Sequence, residues 1–246
     1  MKNKNMNIKA KDFSINFIGI ALIISAIVFG SFYYFAQLAN TKDVLSVTGS
    51  AKTKVTSDQA KLVVSLSRTA VISKLSLGYA DIANDLALTK KLLEDSGIDS
   101  SIIVESPVSM YQNYNKEGAS EASYGLSQTI TVQSSDVNKI TEISKKVPDL
   151  ASQGAIVSVQ SLEYYYSGLP DLRVSLLSDA IKDAKLRAEK IAEGTGRKVG
   201  SVQEASSGVV QVLTPNSVEV SDYGSYDTSS IEKEVMVTVK ASFRLK

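Results

Sequence analysis

Ser178 and Lys182 stand four residues apart, with Ser175 one turn earlier. On a helix that spacing sets a hydroxyl and an amine on one face, the minimum for a serine–lysine hydrolytic dyad. The dyad needs a buried lysine with a lowered pKa, yet Asp179, Asp183 and Lys185 surround this one as they would on a solvated face. Glu94, Asp95 and Asp99 form an acidic cluster whose spacing matches no calcium loop. The chain contains no His and no Cys. The commonest general base, proton shuttle and metal ligand is therefore missing, and neither hydrolytic triads nor ordinary zinc sites can be built. No glycine-rich phosphate loop and no N-glycosylation acceptor occurs. We assign no catalytic, cofactor-binding or metal-binding residue and expect a protein that is not an enzyme.

The tyrosines carry a different chemistry. Tyr111, Tyr114 and Tyr124 flank one hairpin, Tyr164, Tyr165 and Tyr166 end another strand, and Tyr223 and Tyr226 lie in a polar loop. Tyrosine buries area at low entropic cost and is favoured at interfaces; it is equally at home in a half-buried strand. Ala180, Ala184, Ala188 and Ala192 recur every fourth residue, which lets another element approach closely, either a sheet of the same chain or a second subunit. The tyrosines and the first three alanines are the candidate interface, and a homo-oligomer is the expected partner.

The elements that position these residues follow from periodicity. Val44–Val55 reads as a strand with Gly49 inside it, where glycine marks a bulge or a close backbone approach. Leu62, Val64 and Leu66 alternate as in a strand. Ile72, Leu75, Tyr79, Ile82, Ala83, Leu86 and Leu93 form a helical stripe closed by Ser96-Gly97. Ile102 to Gln112 is a strand with Pro107 at an edge or bulge, and Tyr124–Gln133 returns from it. Asp136 opens a helix carrying Val137, Ile140, Ile143, Val147 and Leu150, and Gly154 starts a strand ending at the tyrosine triplet. Residues 58–166 thus run strand, helix, strand, strand, helix, strand, the order of a ferredoxin-like βαββαβ unit. A long helix over 171–194 follows, with Leu176, Leu177, Ala180, Ala184, Ala188, Ile191 and Ala192 on one face. Val199–Leu213 is a strand, 214–230 a long polar loop, and the last strand turns Val235, Val237, Val239, Ala241 and Phe243 inward. The fold class is α+β, the remaining strands and long helix forming a second sheet-and-helix layer.

Before all this stands an apolar run, Phe17 to Ala36, inside a stretch from Phe13 to Thr41 free of Asp, Glu, Lys and Arg. A bilayer core of about 30 Å takes roughly 20 apolar residues. Phe32, Tyr33, Tyr34 and Phe35 sit at its far end, where aromatic rings favour the headgroup layer, and Lys2, Lys4, Lys9 and Lys11 before it keep the N-terminus cytoplasmic. The expected organisation is a cytoplasmic tail over 1–12, a transmembrane signal anchor over 13–38, a tether over 39–43 and an extracytoplasmic domain over 44–246, on the periplasmic or cell-surface side. A cleavable signal peptide would have a shorter apolar region ending in small residues; a cut after Ala36 or Ala39 puts Tyr34 or Gln37 at the −3 position, and a cut after Gly30, with Val28 there, fits less badly. A lipoprotein lacks its cysteine. Of 27 basic and 26 acidic residues, 23 and 25 lie after Asp12, so the exported part has no basic field for nucleic acid.

Three stretches resemble the SIMPL-domain family of exported bacterial proteins, which includes periplasmic immunogenic and oxidative-stress defence proteins. Val47-Thr48-Gly49-Ser50-Ala51 with Asp58-Gln59-Ala60 is similar to the family's opening V-x-G-x-G…P-D-x-A, with Ala51 and Ser57 at the second glycine and the proline. Leu93 to Ile98 with Ile103 resembles its L-x-x-x-G-I strand entry. Ala180, Ala184, Ala188 and Ala192 with Gly196, Gly200 and Val202 resemble its alanine-stepped helix and G-x-x-x-G-x-V exit. The resemblance covers roughly 44–246 and implies an α+β exported domain, in at least one member assembled as a ring-like oligomer; it transfers no catalytic residue. The expectation is a non-enzymatic, membrane-anchored, self-associating envelope scaffold or stress-related module. A receptor for a small molecule or peptide using loop 214–230 is the alternative, and a hydrolase the third.

Overall fold

The structure, a computed structural model, describes residues 19–35, 43–113, 121–217 and 221–246. The chain divides into two compact units. The larger comprises Thr48–Ala184 and Ser206–Lys240; the smaller comprises Lys185–Ala205, Ala241–Lys246 and the described residues up to Val47.

In the larger unit a five-stranded antiparallel sheet is built on β2 (Gln59–Val71) and β5 (Ser123–Ser134), in the order β3 (Ile103–Glu105), β5, β2, β6 (Val157–Tyr165), with β4 (Ser109–Asn113) also beside β5. Ala60, Leu62, Val64 and Leu66 alternate into the core and meet Ile130 and Val132 of β5. Two helices cover that face: α2 (Leu75–Asp95) brings Ile82 and Leu93, and α3 (Val137–Lys146) brings Ile140 and Ile143. At 10 residues α3 is too short to stand alone in water. Two isoleucines buried at about 1.5–3 kcal/mol each, and the Asp136 carboxylate accepting the Lys139 amide at 2.9 Å, hold it.

Two expectations are corrected here. The strand read over Ile102–Gln112 is broken at Pro107 into β3 and β4. Proline has no amide for the ladder, and the gap is bridged by the Ser106 amide donating to Thr129 and the Gln128 side chain donating to the Ser106 carbonyl. The stripe read on α2 is rotated. Ala83 is exposed, Tyr79 is 40% exposed and Ile72 lies outside α2, while the buried face is Gly78, Ile82, Asp85, Thr89 and Leu93.

A second sheet runs β1 (Val44–Thr56), β9 (Glu232–Leu245), β7 (Val199–Leu213) and β8 (Ser225–Tyr226). The inward positions of β9 are as expected, Val235 to Phe243 being at most 2% exposed. Leu176 of α4 (Leu169–Gly194) joins Val212, Val235 and Val237 in the core of the larger unit. Of the face read on α4, Ala180, Ala184, Ala188 and Ala192 are buried, Leu177 is half-buried, and Ile191 is 49% exposed.

The tail over 1–12 and residues 39–42 of the tether lie outside the described residues, as do both ends of the anchor read over 13–38. Residues 19–35 form a helix, α1. Among the described residues no helix is long and apolar enough to cross a membrane.

Candidate interaction surface

The residues that could have done chemistry are solvated. Lys182 pairs with Asp179 at 2.9 Å, its side chain 74% exposed, and Ser178 is exposed as well. Lys182 is not the buried lysine that the dyad needs. Asp95 is taken by Lys91 at 2.8 Å, and Asp99 accepts the Ser101 amide, which holds its carboxyl below the ordinary value. Among the described residues no three acidic groups gather as metal ligands.

The candidate interface residues are dispersed. Ala180, Ala184 and Ala188 are wholly buried, so they form no surface for a second subunit. A Cβ on Gly49 would stand 2.2 Å from the Ala180 carbonyl oxygen and 2.4 Å from the Ala184 nitrogen. Backbone lies against backbone there, and the glycine and the alanines are one packing device. The Ser50 amide donates to Asp183 at 2.8 Å beside it. Tyr111, 56% exposed, lies over Gly125, its partner in the β4–β5 register. Tyr124 is half-buried; Tyr164 is buried, its hydroxyl 2.9 Å from that of Thr141. Tyr165 donates to Glu163 at 2.6 Å, which pushes the phenol up to about 12, and its ring lies 5.9 Å from that of Tyr226. The Tyr226 hydroxyl accepts the Tyr166 amide. Tyr223 is 98% exposed, and Tyr114 lies outside the described residues. Among the described candidate tyrosines, Tyr111 and Tyr223 alone have most of their surface exposed.

Two buried ionic centres escaped the sequence reading. Arg68 of β2 reaches Asp85 of α2 with two hydrogen bonds of 2.6 Å, and its Nη2 also donates to the Gly154 carbonyl. Asp85 is fully buried and accepts the Ile156 amide too. The pair ties a strand, a helix and the turn before β6 together.

The second centre is Lys233 of β9, also fully buried. Its ammonium donates to the carbonyls of Asp227 and Ser230, at 2.5 and 2.6 Å, with the Asp227 carboxylate 3.7 Å away. Burial pushes the Lys233 amine down; Asp227 opposes that. Burial alone would push the Asp227 carboxyl up, but hydrogen bonds from Ser229 and Ser230, with the Lys233 charge, hold it well below the carboxylate range. The described part of loop 214–230 is therefore pinned near its C-terminal end. Because the native pKa of Asp227 is depressed, its stabilisation is complete above the unfolded value of about 3.9 and is lost as pH falls through the native one. Asp227→Asn is expected to lower the urea midpoint at neutral pH and to shrink the loss between about pH 6 and about pH 3. A wild-type-sized acid loss in the variant would remove Asp227 from that account.

Among the described residues, two features stand open to solvent. The side chains of α1 are exposed from Ile20 to Phe35, with Phe29 at 73% and Phe32 at 75%. In β7 every residue from Ser201 to Ser207 is exposed, which requires both faces of the strand to be open. Two clefts of about 480 and 490 Å³ are wide open. One is lined by residues including Ser57, Asp58, Asp136 and Asn138, the other by residues including Glu189, Glu193 and Arg197; neither is lined by 214–230.

A family model for SIMPL, described as a protein of unknown function (DUF541), matches residues 45–243. The chain belongs to the SIMPL family. No curated protein matches it. Solved structures with some likeness include hydantoinase/carbamoylase family amidases. That from Burkholderia ambifaria has 11% identity over 46% of this chain and 29% of its own, with a TM-score of 0.26. Those from Burkholderia multivorans and Burkholderia vietnamiensis have 10% and 12% identity, cover 52% of this chain and 31% of theirs, and give TM-scores of 0.24 and 0.22. This SIMPL chain spans less than a third of each, and at such scores the likeness carries no argument about activity.

Proposed function

We propose that this SIMPL protein is a non-enzymatic, membrane-anchored extracytoplasmic protein that self-associates as an envelope scaffold. The observation that carries the reading is α1, a helix of Ile, Leu, Val, Phe and Tyr with no packed face. A helix apolar all round belongs in a core or in hydrocarbon, and among the described residues no core receives this one. The described helix is 17 residues, and the apolar run in the sequence, Phe17 to Ala36, is 20 residues long, enough to span if helical. The four preceding lysines favour a cytoplasmic N-terminus and an exported domain. The absence of His and Cys, with Lys182 in water, supports a role without catalysis.

The test uses the full chain in cells. It should stay with sedimented membranes through an alkaline carbonate wash, and Ile23→Asp with Ile27→Asp should release it. Since the chain has no cysteine, Lys145→Cys on the exposed end of α3 reports the side of the membrane. Labelling by an impermeant maleimide added outside the inner membrane is expected. Carbonate release of the wild type, or labelling only after lysis, would overturn the anchor or its orientation.

A further inference from the structure

We propose that the outer edge of β7, at Ser201–Ala205 in the smaller unit, is where a second copy of this chain adds, strand to strand and antiparallel about a two-fold axis. This rests on the self-association reading above and names its surface.

A strand at the margin of a sheet presents a row of free amides and carbonyls, and proteins guard such rows with lysines, prolines, bulges or a cover. The described edges of this chain show those guards, with one exception. β1 carries Lys52 and Lys54. The β3–β4 side is cut by Pro107 into pieces of 3 and 5 residues. β6 pairs with β2 across a register shift, and its Tyr164 amide is covered by the Thr228 carbonyl. β7 runs 15 residues with no lysine, no proline and one charge, Glu204. β9 lies on one side of it; on the other, among the described residues, β8 pairs only at Gln211 and Val212. Ser201–Ala205 is the bare part, and its side chains are exposed on both faces.

The occupant such an edge accepts is an extended strand, since main-chain hydrogen bonds supply the recognition. A second copy is the occupant that ends the problem. Two identical edges related by a two-fold axis consume each other and leave none open, whereas a head-to-tail contact regenerates an edge at each step. Two-fold pairing of antiparallel strands sets one residue opposite itself. With Glu204 there, like charges would meet directly, which destabilises. With Gln203 there, two neutral amides face each other, Glu204 lies opposite Val202 of the other copy, and Ala205 opposite Ser201. Copies anchored in one membrane also meet at a raised effective concentration.

The experiment takes the full chain in its membrane. Gln203→Cys, an exposed change in a chain without cysteine, should give a disulfide-linked dimer under mild oxidation, while Lys145→Cys should not. Gln203→Lys sets two ammonium groups opposite each other and should weaken association about five-fold, read as mass against concentration by light scattering in detergent. Val202→Lys, which would face Glu204 of the other copy, should leave association equal or stronger. If the wild type associates but Gln203→Cys does not cross-link and Gln203→Lys keeps the full mass, this surface is wrong and self-association stands. A monomer at every concentration, with no cross-link in membranes, would sink both.

Discussion

Replacing Asp85 by alanine is expected to cost about 3–5 kcal/mol of unfolding free energy, the range for breaking a buried ion pair from one side. Asp85 has no exposure, and Arg68 keeps only 18% of its side-chain surface in water. Removing the carboxylate leaves a guanidinium with one carbonyl acceptor, Gly154, and orphans the Ile156 amide. Urea unfolding of single and double variants separates two meanings of such a pair. If the pair itself is a net source of stability, Arg68→Leu with Asp85→Leu will be at least as damaged as Asp85→Ala. We expect the double variant to recover part of the loss, because a hydrophobic pair of similar size needs no desolvation of charge. A single variant within about 0.5 kcal/mol of wild type would show that water reaches Arg68 easily and that the pair is a surface contact in effect.

Gly49→Val is expected to prevent the larger unit from folding, and Gly49→Ala to cost about 3 kcal/mol or more. Overpacking usually costs about 1–3 kcal/mol because side chains can shift, but here the atoms in the way are backbone of α4 and cannot rotate aside. The control is Gly194→Ala. Gly194 has open space around its missing Cβ and lies at the end of the same helix. That change should be neutral or slightly stabilising, by up to about 1 kcal/mol. Circular dichroism melts of the three variants decide it; a Gly49→Ala protein melting with the wild type would mean that β1 and α4 separate without cost.

The close approach at Gly49 was legible because glycine inside a strand and alanine at every fourth residue of a helix are halves of one signal. The two central strands of the five-stranded sheet were legible for a similar reason: β2 and β5 each bury one face, so their period of two is clean. The ion pairs were hidden by the same habit of reading. A stripe of apolar residues alone on α2 takes in Ala83 and passes over Asp85 and Thr89, although 82, 85, 89 and 93 keep the helical step. The alternation on β9 from Val235 to Phe243 extends back one more step to Lys233, an inward position the side-chain type concealed. Which edge is bare could not be read from sequence at all, since strand order is set by pairings between segments far apart in the chain. The tyrosines stayed open between interface and sheet packing for the opposite reason: type alone does not say whether a ring covers its own sheet, as Tyr111 does over Gly125.

The partner of β1 has a consequence for the order of events in folding. Among the described residues β1 pairs with no strand but β9: Ser46 meets Ser242, the Leu245 amide reaches the Asp43 carbonyl, and Thr56 donates to Glu232. During synthesis, at about 5–20 residues per second, the segment that emerges first after the apolar run waits for the last strand before it has anything to pair with. Closing so long a loop is also what makes non-local strand pairing slow. For that interval β1 is an unpaired strand, and Lys52 and Lys54 guard its edge until its partner arrives.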